Sequence, residues 1–305
     1  MENSNERYNS FNNFLRKKYD SKVYKLGLNI SANCPNRDGT KGIGGCIFCY
    51  EGSSTFCANS EFDINKQIDA AKEKVISKTK DNKFIAYFQA YTSTYAPIEF
   101  LKENFYKAIS RDDIVALSIS TRPDCLADDI IELIYKLNKI KPITVELGLQ
   151  TIHEKTATLI NRCYPLSVFD EAVKKLQKHG IDVVAHIILG LPHETADDVL
   201  QTIHHLNSIN INGVKLHLLH VLKNTKLYEM YQNGEFETLI INEYINLLRL
   251  CIENLSPEIV IHRLTGDAPK SALIAPLWSA DKKKVLNTIK KEFELNDVRQ
   301  GRSLK

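Results

Sequence analysis

Three cysteines crowd together in one short segment of the chain. Cys34, Cys46 and Cys49 have the spacing C-x11-C-x2-C, and Cys57 follows the last of them. Thiolates are ligands of zinc and of iron–sulfur clusters, and a [4Fe–4S] cluster ordinarily takes four of them. A set of three would leave one iron open to a ligand from outside the protein. The spacing alone leaves two alternatives: a cluster held by three cysteines, or a structural zinc site in which Cys57 is the fourth ligand.

The composition is that of an ordinary globular protein. The 305 residues are 43% hydrophobic and 25% charged, include seven cysteines and carry a net charge of +3, which is too mild to indicate a nucleic-acid-binding protein. The first residues do not have the pattern of a signal peptide, and no apolar run approaches the roughly 18 residues of a membrane span. We therefore expect a cytoplasmic protein with no membrane partner, in which cysteines more often bind metals or catalyse than form disulfides. Cys125, Cys163 and Cys251 are scattered and receive no role.

Short apolar runs alternate with helical patterns along the chain. The runs expected to be strands are 25–30, 84–88, 114–119, 144–149, 183–189, 214–219 and 259–264. Nearly continuous apolar runs are typical of strands buried on both faces of a parallel sheet. Thr195 with Asp198 predicts a capping box at the start of one helix. Ser167 with Asp170 predicts the start of another helix, which Gly180 ends.

Strands that alternate with helices predict βαβ units and a parallel sheet. Six such units precede residue 235, short of the eight in a full (β/α)8 barrel. We therefore predict an α/β fold, a partial (β/α)6 TIM-like barrel with a small C-terminal α/β extension that holds the strand near residue 260. The predicted divisions are a polar and loosely held N-terminal segment at 1–22, the barrel at 23–235 and the extension at 236–305. In such a barrel the cysteine segment, which follows the first strand, lies on the face where active sites are built.

Several motifs together resemble one known family. The cysteine segment, with Phe48 directly before Cys49, resembles the radical S-adenosylmethionine (SAM) superfamily. The stretches FQAYTSTYAP, STRPD, ELGLQT, GLPHET and HRLTGDAP resemble one subgroup of it, a bacterial subgroup similar to the elongator catalytic subunit. The resemblance covers nearly the whole chain.

The resemblance implies two cofactors. Cys34, Cys46 and Cys49 would bind a [4Fe–4S] cluster, with Phe48 beside it, and the amino and carboxylate groups of SAM would chelate the fourth iron. One-electron reduction, by a donor of the flavodoxin or ferredoxin type, would split SAM into methionine and a 5′-deoxyadenosyl radical that abstracts hydrogen from the substrate. The cofactors would supply this chemistry, and the protein would supply binding, orientation and exclusion of water.

The resemblance also implies where SAM is held. After the second strand, Gln89, Ala90, Tyr91 and Thr92 stand where the superfamily usually has a Gly-Gly-Glu-like turn that meets the methionine amino group. Since the glutamate is missing, we expect backbone carbonyls and Thr92 to accept hydrogen bonds from that ammonium. The alternative is a simple strand end.

Two further strands would contribute SAM contacts. Gln150 suits a ribose hydroxyl, and Arg162 suits the carboxylate because a guanidinium is always charged and can bind it bidentately. The alternative for Arg162 is a surface charge. His186 replaces an acid that related enzymes direct at the ribose, with a satisfied core histidine as the alternative. Gly190 would let the backbone approach the adenine.

Candidates for the substrate side follow the third and sixth strands. Ser120, Arg122 and Asp124 come after the third strand, with a loop ion pair as the alternative for the last two. His217 and His220 are three residues apart, so we predict that they point to opposite faces of a strand and that one of them, His217 in our choice, faces the interior.

The last predicted strand carries three more polar side chains. His262, Arg263 and Asp267 lie in the stretch HRLTGDAP. We interpret them as closing the barrel from its side.

The elongator subunit modifies the wobble uridine side chain of tRNA, so the resemblance implies tRNA as the partner. The expected reaction takes a carboxymethylaminomethyl-type uridine toward an aminomethyl-type one. Basic residues near both termini could contact phosphates, and aromatic residues among the first group could stack on bases. These residues are Arg7, Arg16, Lys17, Lys18, Lys22 and Lys25 with Tyr8, Phe11, Phe14 and Tyr19, and then Lys282, Lys283, Lys284, Lys290 and Lys291.

Three alternatives to the tRNA hypothesis remain open. The enzyme could act on a small-molecule or porphyrin-like substrate. The chain could instead be a zinc-stabilised binding module without catalysis. The lysine runs could simply be solvated helix faces.

Overall fold

The apolar runs of the sequence form one parallel sheet of seven strands. A computed structural model describes residues 6–79 and 81–304. In chain order the strands are β1 (Tyr24–Leu28), β2 (Phe84–Phe88), β3 (Ile114–Thr121), β4 (Ile143–Gln150), β5 (Asp182–Leu189), β6 (Gly213–Leu218), β7 (Val221–Leu222), β8 (Val260–Arg263) and β9 (Leu273–Ala275). The large sheet has the order β1-β2-β3-β4-β5-β6-β8 and every neighbouring pair is parallel. β7 and β9 pair separately as an antiparallel ribbon.

Helices connect these strands and cover the outside of the sheet. They are α1 (Phe11–Tyr19), α2 (Ile64–Glu73), α3 (Ile98–Ile109), α4 (Asp128–Asn138), α5 (Glu154–Leu159), α6 (Leu166–Lys178), α7 (Ala196–Ser208), α8 (Lys226–Gln232), α9 (Ile241–Asn254) and α10 (Lys282–Leu295). Every residue of β2 is buried, as expected of a strand covered on both faces. The predicted α/β partial barrel is thereby confirmed. No helix within the described residues combines the length and the apolar character that crossing a membrane requires.

The two helix starts predicted from the sequence have different outcomes. The capping box at α7 is confirmed, since Asp198 N donates to Thr195 Oγ1 and Thr195 N donates back to Asp198 Oδ2 at 2.8 Å. α6 begins at Leu166 rather than after a cap at Ser167. Pro165 occupies the position before it, and its restricted φ suits the entry to a helix.

The strand near residue 260 is part of the large sheet. β8 pairs in parallel with β6, with Gly213 opposite Val260 and Val214 opposite Ile261. The sequence interpretation, which places this strand in the C-terminal extension, is therefore wrong, because the strand belongs to the large sheet. α9 packs against α7 on the outside and so returns the chain to the starting end of the neighbouring strand. The domain boundary at residue 235 stays a prediction.

The N-terminal segment is packed rather than loose. Ser10 caps α1, Leu15 of that helix is buried, and the Phe11 ring stacks on the His262 ring with 3.9 Å between centroids. Ser10 also forms a β-bridge with Ile261. α1 therefore closes the end of the sheet at which the strands begin, because its apolar face is buried there. The predicted looseness is wrong for residues 6–20, and residues 1–5 lie outside the described part of the chain.

Five polar side chains meet inside the curl of the sheet. Glu146 of β4 is fully buried, and its carboxylate accepts from Lys25 of β1, Ser118 of β3, His186 of β5 and Lys215 of β6. The Ser118 Oγ and His186 Nε2 contacts are 2.5 and 2.7 Å. In a flat sheet β1 would lie roughly 14 Å from β4, since neighbouring strands are about 4.8 Å apart. The shared carboxylate shows that the sheet curls into a half-barrel.

The Glu146 carboxylate is charged in this network. Burial alone would raise the pKa of Glu146, but Lys215, Lys25 and His186 together hold it well below its usual value. Burial and the nearby Lys215 lower the pKa of His186 to about 4, so its imidazole is neutral at pH 7. Since Nε2 faces a carboxylate, Nε2 carries the proton and Nδ1 keeps its lone pair.

Replacing Glu146 with Gln should destabilise the protein by about 3–5 kcal/mol, because Lys25 and Lys215 would then be enclosed without their counter-ion. Ser118→Ala is the matched control, since it removes one neutral donor from the same carboxylate and should cost about 1–2 kcal/mol. Urea unfolding followed by circular dichroism measures both. Equal losses in the two variants would contradict the central role of the Glu146 charge.

His262 should make stability depend on pH. Burial and then the charge of Lys25 lower the pKa of His262 well below 6.5, whereas the unfolded imidazole binds a proton near pH 6.5. Its contribution is therefore present above pH 6.5 and is lost as the pH falls. His262→Phe should reduce the pH slope of the free energy of unfolding between pH 6.5 and 5 by up to about 1.4 kcal/mol per unit. His204→Gln, at an exposed position of α7, is the control, and an unchanged slope in His262→Phe would disprove the assignment.

Candidate active site

The cysteine segment leaves the C-terminal end of β1 as a loop of tight turns. The carbonyl of Cys34 accepts from the backbone N–H three residues later, and the carbonyl of Cys46 accepts from the N–H of Cys49 at 2.9 Å. Gly42 has no room for a side chain, because an added Cβ would lie 2.1 Å from Asn36 Oδ1. The loop therefore folds closely around the buried Asn36 side chain.

The three cysteines of the motif converge. Their side chains line one cavity of about 230 Å³, which we call the cysteine cavity. Asn36 Nδ2 donates to Cys46 Sγ at 3.5 Å, and Arg37 Nη1 donates to Cys49 Sγ at 3.9 Å. Burial raises the pKa of Cys46 to about 12 and also raises that of Cys49, so these thiols lose their protons most readily to a metal that binds the sulfur. Three sulfurs at one cavity, two of them with N–H donors, fit a metal cluster held by three thiolates.

The remaining cysteines lie elsewhere. Cys57 is not among the residues that line the cysteine cavity, and its thiol contacts the backbone of Ala90. Cys125 Sγ and Cys163 Sγ each contact a nearby polar side chain, and Cys251 is buried in α9. Within residues 6–79 and 81–304, no three His, Cys, Asp or Glu side chains are gathered closely enough to hold a single metal ion. The arrangement gives Cys57 no place beside the three thiols.

Positive charge surrounds the three thiols. Among the described residues that line the cysteine cavity there is no carboxylate. The cationic side chains that line it are Arg37, Arg122, Arg162, Lys215 and Arg263. Such surroundings favour anionic groups, including thiolates bound to a metal.

The turn after β2 lies beside the thiols. Gln89, Tyr91 and Thr92 line the cysteine cavity, whereas the side chain of Ala90 is buried behind them. Tyr91 has φ = 52°, and its N–H donates to the Gly52 carbonyl at 2.7 Å. This shaped turn is more than a strand end, although the expected contacts to an ammonium group stay a prediction.

Gln150 and Arg162 both line the cysteine cavity, but they differ in which side-chain atoms already have partners in the protein. Gln150 adopts φ = 63°, and its Oε1 is buried without a hydrogen-bond partner in the described part of the chain. This orphaned acceptor fits a hydroxyl donor from a bound molecule. Arg162 is only 1% exposed, so the surface-charge alternative is wrong. Its Nε and Nη1 donate to the carbonyls of Leu149, Thr151 and Tyr164. Its Nη2 makes no hydrogen bond within the described residues but lies 3.5 Å from Glu154 Oε1, so the expected free bidentate edge is not present.

The histidines line a second cavity that continues from the first. This cavity of about 280 Å³, which we call the histidine cavity, is lined by His186, His217 and His220. It shares Phe48 and Cys49 with the cysteine cavity. The prediction that His217 and His220 point to opposite faces is wrong, because β6 ends at residue 218 and strand alternation stops there.

Gly190 lies away from both cavities. It has φ = 85°, and an added Cβ would lie 2.9 Å from the Leu239 side chain. The glycine is therefore explained by its backbone conformation and by the packing of Leu239. Its predicted approach to adenine is not supported by this position.

The candidates after β3 form an ion pair. Arg122 donates through Nε and Nη2 to both oxygens of Asp124, each at 2.9 Å. Its Nη1 donates to the Arg162 carbonyl at 3.1 Å. Ser120 and Arg122 line the cysteine cavity, whereas Asp124 does not. Arg122 and Asp124 therefore form the loop ion pair that is the alternative to a substrate role. Asp124 does not line the cavity and is no longer a candidate for direct contact with the substrate.

The first basic cluster contacts the end of α10, the helix that carries the second cluster, since Arg7 pairs with Asp297 at 2.9 Å. The aromatic residues of the first cluster are partly buried, as Phe11 on His262 and Tyr8 against Phe293, and their stacking on bases stays a prediction. The second cluster begins beside the histidine cavity, where Lys282 Nζ contacts Asp267 Oδ1 at 2.5 Å. Lys282 thus places the start of the second cluster next to the histidine cavity.

Sequence reasoning missed or undervalued three charged side chains. Glu146 and Lys215 interrupt otherwise apolar strands, and a charged residue within a buried run is the signal that could have identified them. Arg263 lines both cavities, which could be recognised only once β8 was placed in the sheet.

Comparisons with known proteins agree with this site. The radical SAM superfamily model matches residues 28–206, and the radical SAM C-terminal domain model matches residues 211–294. The uncharacterized protein YtqA of Bacillus subtilis is 44% identical over 301 residues, which cover 98% of this chain and 94% of that protein. A tRNA uridine(34) acetyltransferase of Methanocaldococcus infernus is 26% identical over 163 residues, 52% of this chain and 30% of that protein.

A solved structure has the same fold. The Methanocaldococcus infernus Elp3 with an N-terminal deletion superposes with a TM-score of 0.71 at 20% identity. The match covers 91% of this chain and 64% of the archaeal chain. With three cysteines at one cavity of a parallel half-barrel and a superfamily model that spans more than half of its length, the chain belongs to the radical SAM superfamily, in the subgroup that resembles the elongator catalytic subunit.

Proposed function

We propose that this protein is a cytoplasmic radical SAM enzyme that modifies the side chain of a tRNA wobble uridine. The observation that carries the chemistry is the convergence of Cys34, Cys46 and Cys49 on one cavity lined by cations. When bound, a [4Fe–4S] cluster and SAM supply the reductive cleavage of the sulfonium and the abstraction of a hydrogen atom from the substrate. A flavodoxin- or ferredoxin-type protein is the proposed electron donor.

The residues of the chain have separate roles in this proposal. The three cysteines hold the cluster, and Asn36 and Arg37 donate to their sulfurs. The surrounding guanidinium groups offset the negative charge of the thiolates. The two cavities adjoin along a shared set of lining residues, which are Phe48, Cys49, Gln89, Gln150, His186, His217 and Arg263.

The cofactor contacts are proposed from the free atoms of the site. Gln150 Oε1 would accept from a ribose hydroxyl, because it is buried without a partner. His186 would accept through Nδ1, because Glu146 holds the proton on Nε2. Arg162 would reach a carboxylate through Nη2, which now lies 3.5 Å from Glu154 Oε1, so the ligand would replace that partner. Gln89, Tyr91 and Thr92 would surround the ammonium group.

The substrate is proposed from the relationship to tRNA-modifying proteins. The relative named tRNA uridine(34) acetyltransferase shares about half of this chain, and its name places its action at the wobble uridine. We infer that the substrate is a carboxymethylaminomethyl-type uridine and that the product is of the aminomethyl type. The histidine cavity is the proposed chamber for the uridine side chain, since it adjoins Cys49 and Phe48.

Replacing Cys34, Cys46 or Cys49 with Ala should remove the cluster, because each loses one of three sulfur ligands. The anaerobically purified wild-type protein should contain about four iron and four sulfide per chain. Dithionite with SAM should yield 5′-deoxyadenosine, and each of the three variants should lose at least 100-fold of that activity. Cys57→Ala is the matched control and should keep both iron and activity. A colourless wild-type protein with one zinc would show the zinc-stabilised module instead.

Deleting the gene should change the wobble-uridine profile of cellular tRNA. Nucleoside mass spectrometry should show that the carboxymethylaminomethyl-type nucleoside accumulates and the aminomethyl-type one falls. Complementation with the wild-type gene should restore the profile, whereas the Cys46→Ala gene should not. An unchanged profile would point to the small-molecule alternative.

A further inference from the structure

Among the described residues, Arg263 is the single lysine or arginine that lines both cavities. It is the last residue of β8, and its side chain lines both the cysteine cavity and the histidine cavity. Its charge acts on the interior, because it contributes to the lowered pKa values of His186, Lys215 and His217. The guanidinium thus lies at the junction of the two chambers.

The donors of Arg263 are largely uncommitted. Its contact with a charged partner in the described part of the chain is Nη2 with Asp267 Oδ2 at 3.2 Å. The Asp267 carboxylate is also held by Lys282, through its other oxygen. Arg263 is therefore available to bind a ligand, because Asp267 would still pair with Lys282 if the Arg263 guanidinium turned away. This differs from Arg122 and Arg162, whose N–H groups donate to protein oxygens.

The rest of the histidine cavity carries little fixed positive charge. Among its described lining residues, Arg263 is the single lysine or arginine, and its ion-pair partner Asp267 is the single carboxylate. Burial lowers the pKa values of His186 and His220 to about 4 and holds that of His217 well below its usual value, so the three imidazoles are neutral at pH 7. An anionic group that enters this cavity would therefore find its counter-charge at Arg263.

We propose that Arg263 anchors a carboxylate on the reacting side chain of the substrate. The planar guanidinium can bind a carboxylate bidentately, and this would hold the substrate arm at the boundary between the two cavities. A backbone phosphate does not suit this place, because a phosphate is tied to nucleotides on both sides and the cavity measures only about 280 Å³. The inference rests on the proposed function and specifies how that site recognises its substrate.

The test compares two anticodon stem-loop RNAs that differ only at the wobble position. One carries carboxymethylaminomethyluridine and the other carries aminomethyluridine, which lacks the carboxylate. The reconstituted holoenzyme with SAM, and without reductant, should bind the first RNA at least 10-fold more tightly in fluorescence anisotropy. In Arg263→Gln that ratio should fall to near 1, while the affinity for the aminomethyl RNA should stay within about 2-fold.

Three further variants sharpen the interpretation. Arg263→Lys keeps the charge but loses the fork, so its ratio should be intermediate. Asp267→Asn removes the competing carboxylate, so its ratio should stay the same or rise. Arg299→Gln, in an exposed ion pair with Asp297, controls for the loss of one positive charge and should keep the wild-type ratio.

Distinct outcomes overturn distinct claims. If Arg263→Gln keeps the wild-type ratio, or weakens both RNAs equally as a phosphate contact would, the anchor is disproved while the proposed function stands. If the wild-type protein binds both RNAs equally, the carboxylate is not recognised and the anchor is likewise disproved. If the wild-type protein binds neither RNA and the tRNA of the deletion strain is unchanged, the proposed function itself is overturned.

Discussion

The buried carboxylate of Glu146 is the interaction on which the rest of the structure depends. It joins side chains from β1, β3, β5 and β6, which a flat sheet would hold far apart. Two ammonium groups and one carboxylate would each be costly to bury alone, so the network persists only if all of them meet. The curl is therefore tied to the ionisation of one side chain. Because parallel strands end on the same edge, the curl also brings together the loops that follow them.

The charge inside the half-barrel supports the same geometry. Burial disfavours the thiolate form of Cys46 and Cys49, yet metal binding needs thiolates. Cationic side chains from several strands and loops line the cavity in which these thiols lie, and carboxylates are absent from its described lining. The one buried carboxylate, Glu146, lies deeper and is neutralised by its own lysines. The site thus separates a carboxylate that shapes the sheet from a cavity whose described lining carries cations and no carboxylate.

What the sequence could predict is local. The cysteine spacing, the apolar runs and the Thr195–Asp198 capping box each depend on residues close in the chain, and the structure has the corresponding loop, strands and helix. The superfamily could likewise be recognised from short motifs. The functional assignments of individual SAM and substrate residues stay predictions, since the contacts they concern are with molecules rather than with the chain.

What the sequence could not predict depends on contacts between distant residues. β8 joins the sheet through pairing with β6, and no local pattern distinguishes that strand from one in a separate extension. The buried place of Arg162 follows from three backbone carbonyls that only the folded loop brings together. The error at His217 and His220 has a different origin, since the alternation rule holds only inside a strand and β6 ends between them.

β8, the last strand in the order of the large sheet, connects these observations. Without β8 the histidine cavity would lack Arg263 on its wall, and the three neutral imidazoles would face an opening with no fixed cation. With β8 in place, the thiols that follow the first strand of the sheet and the guanidinium at the end of its last strand line the same cavity. In our proposal, the cofactors lie on the side of this cavity that holds the cysteines, and the substrate lies on the side that holds Arg263. The curl set by Glu146 therefore brings the three cysteines and Arg263 to one cavity, the place we propose for the chemistry and for the carboxylate of the substrate.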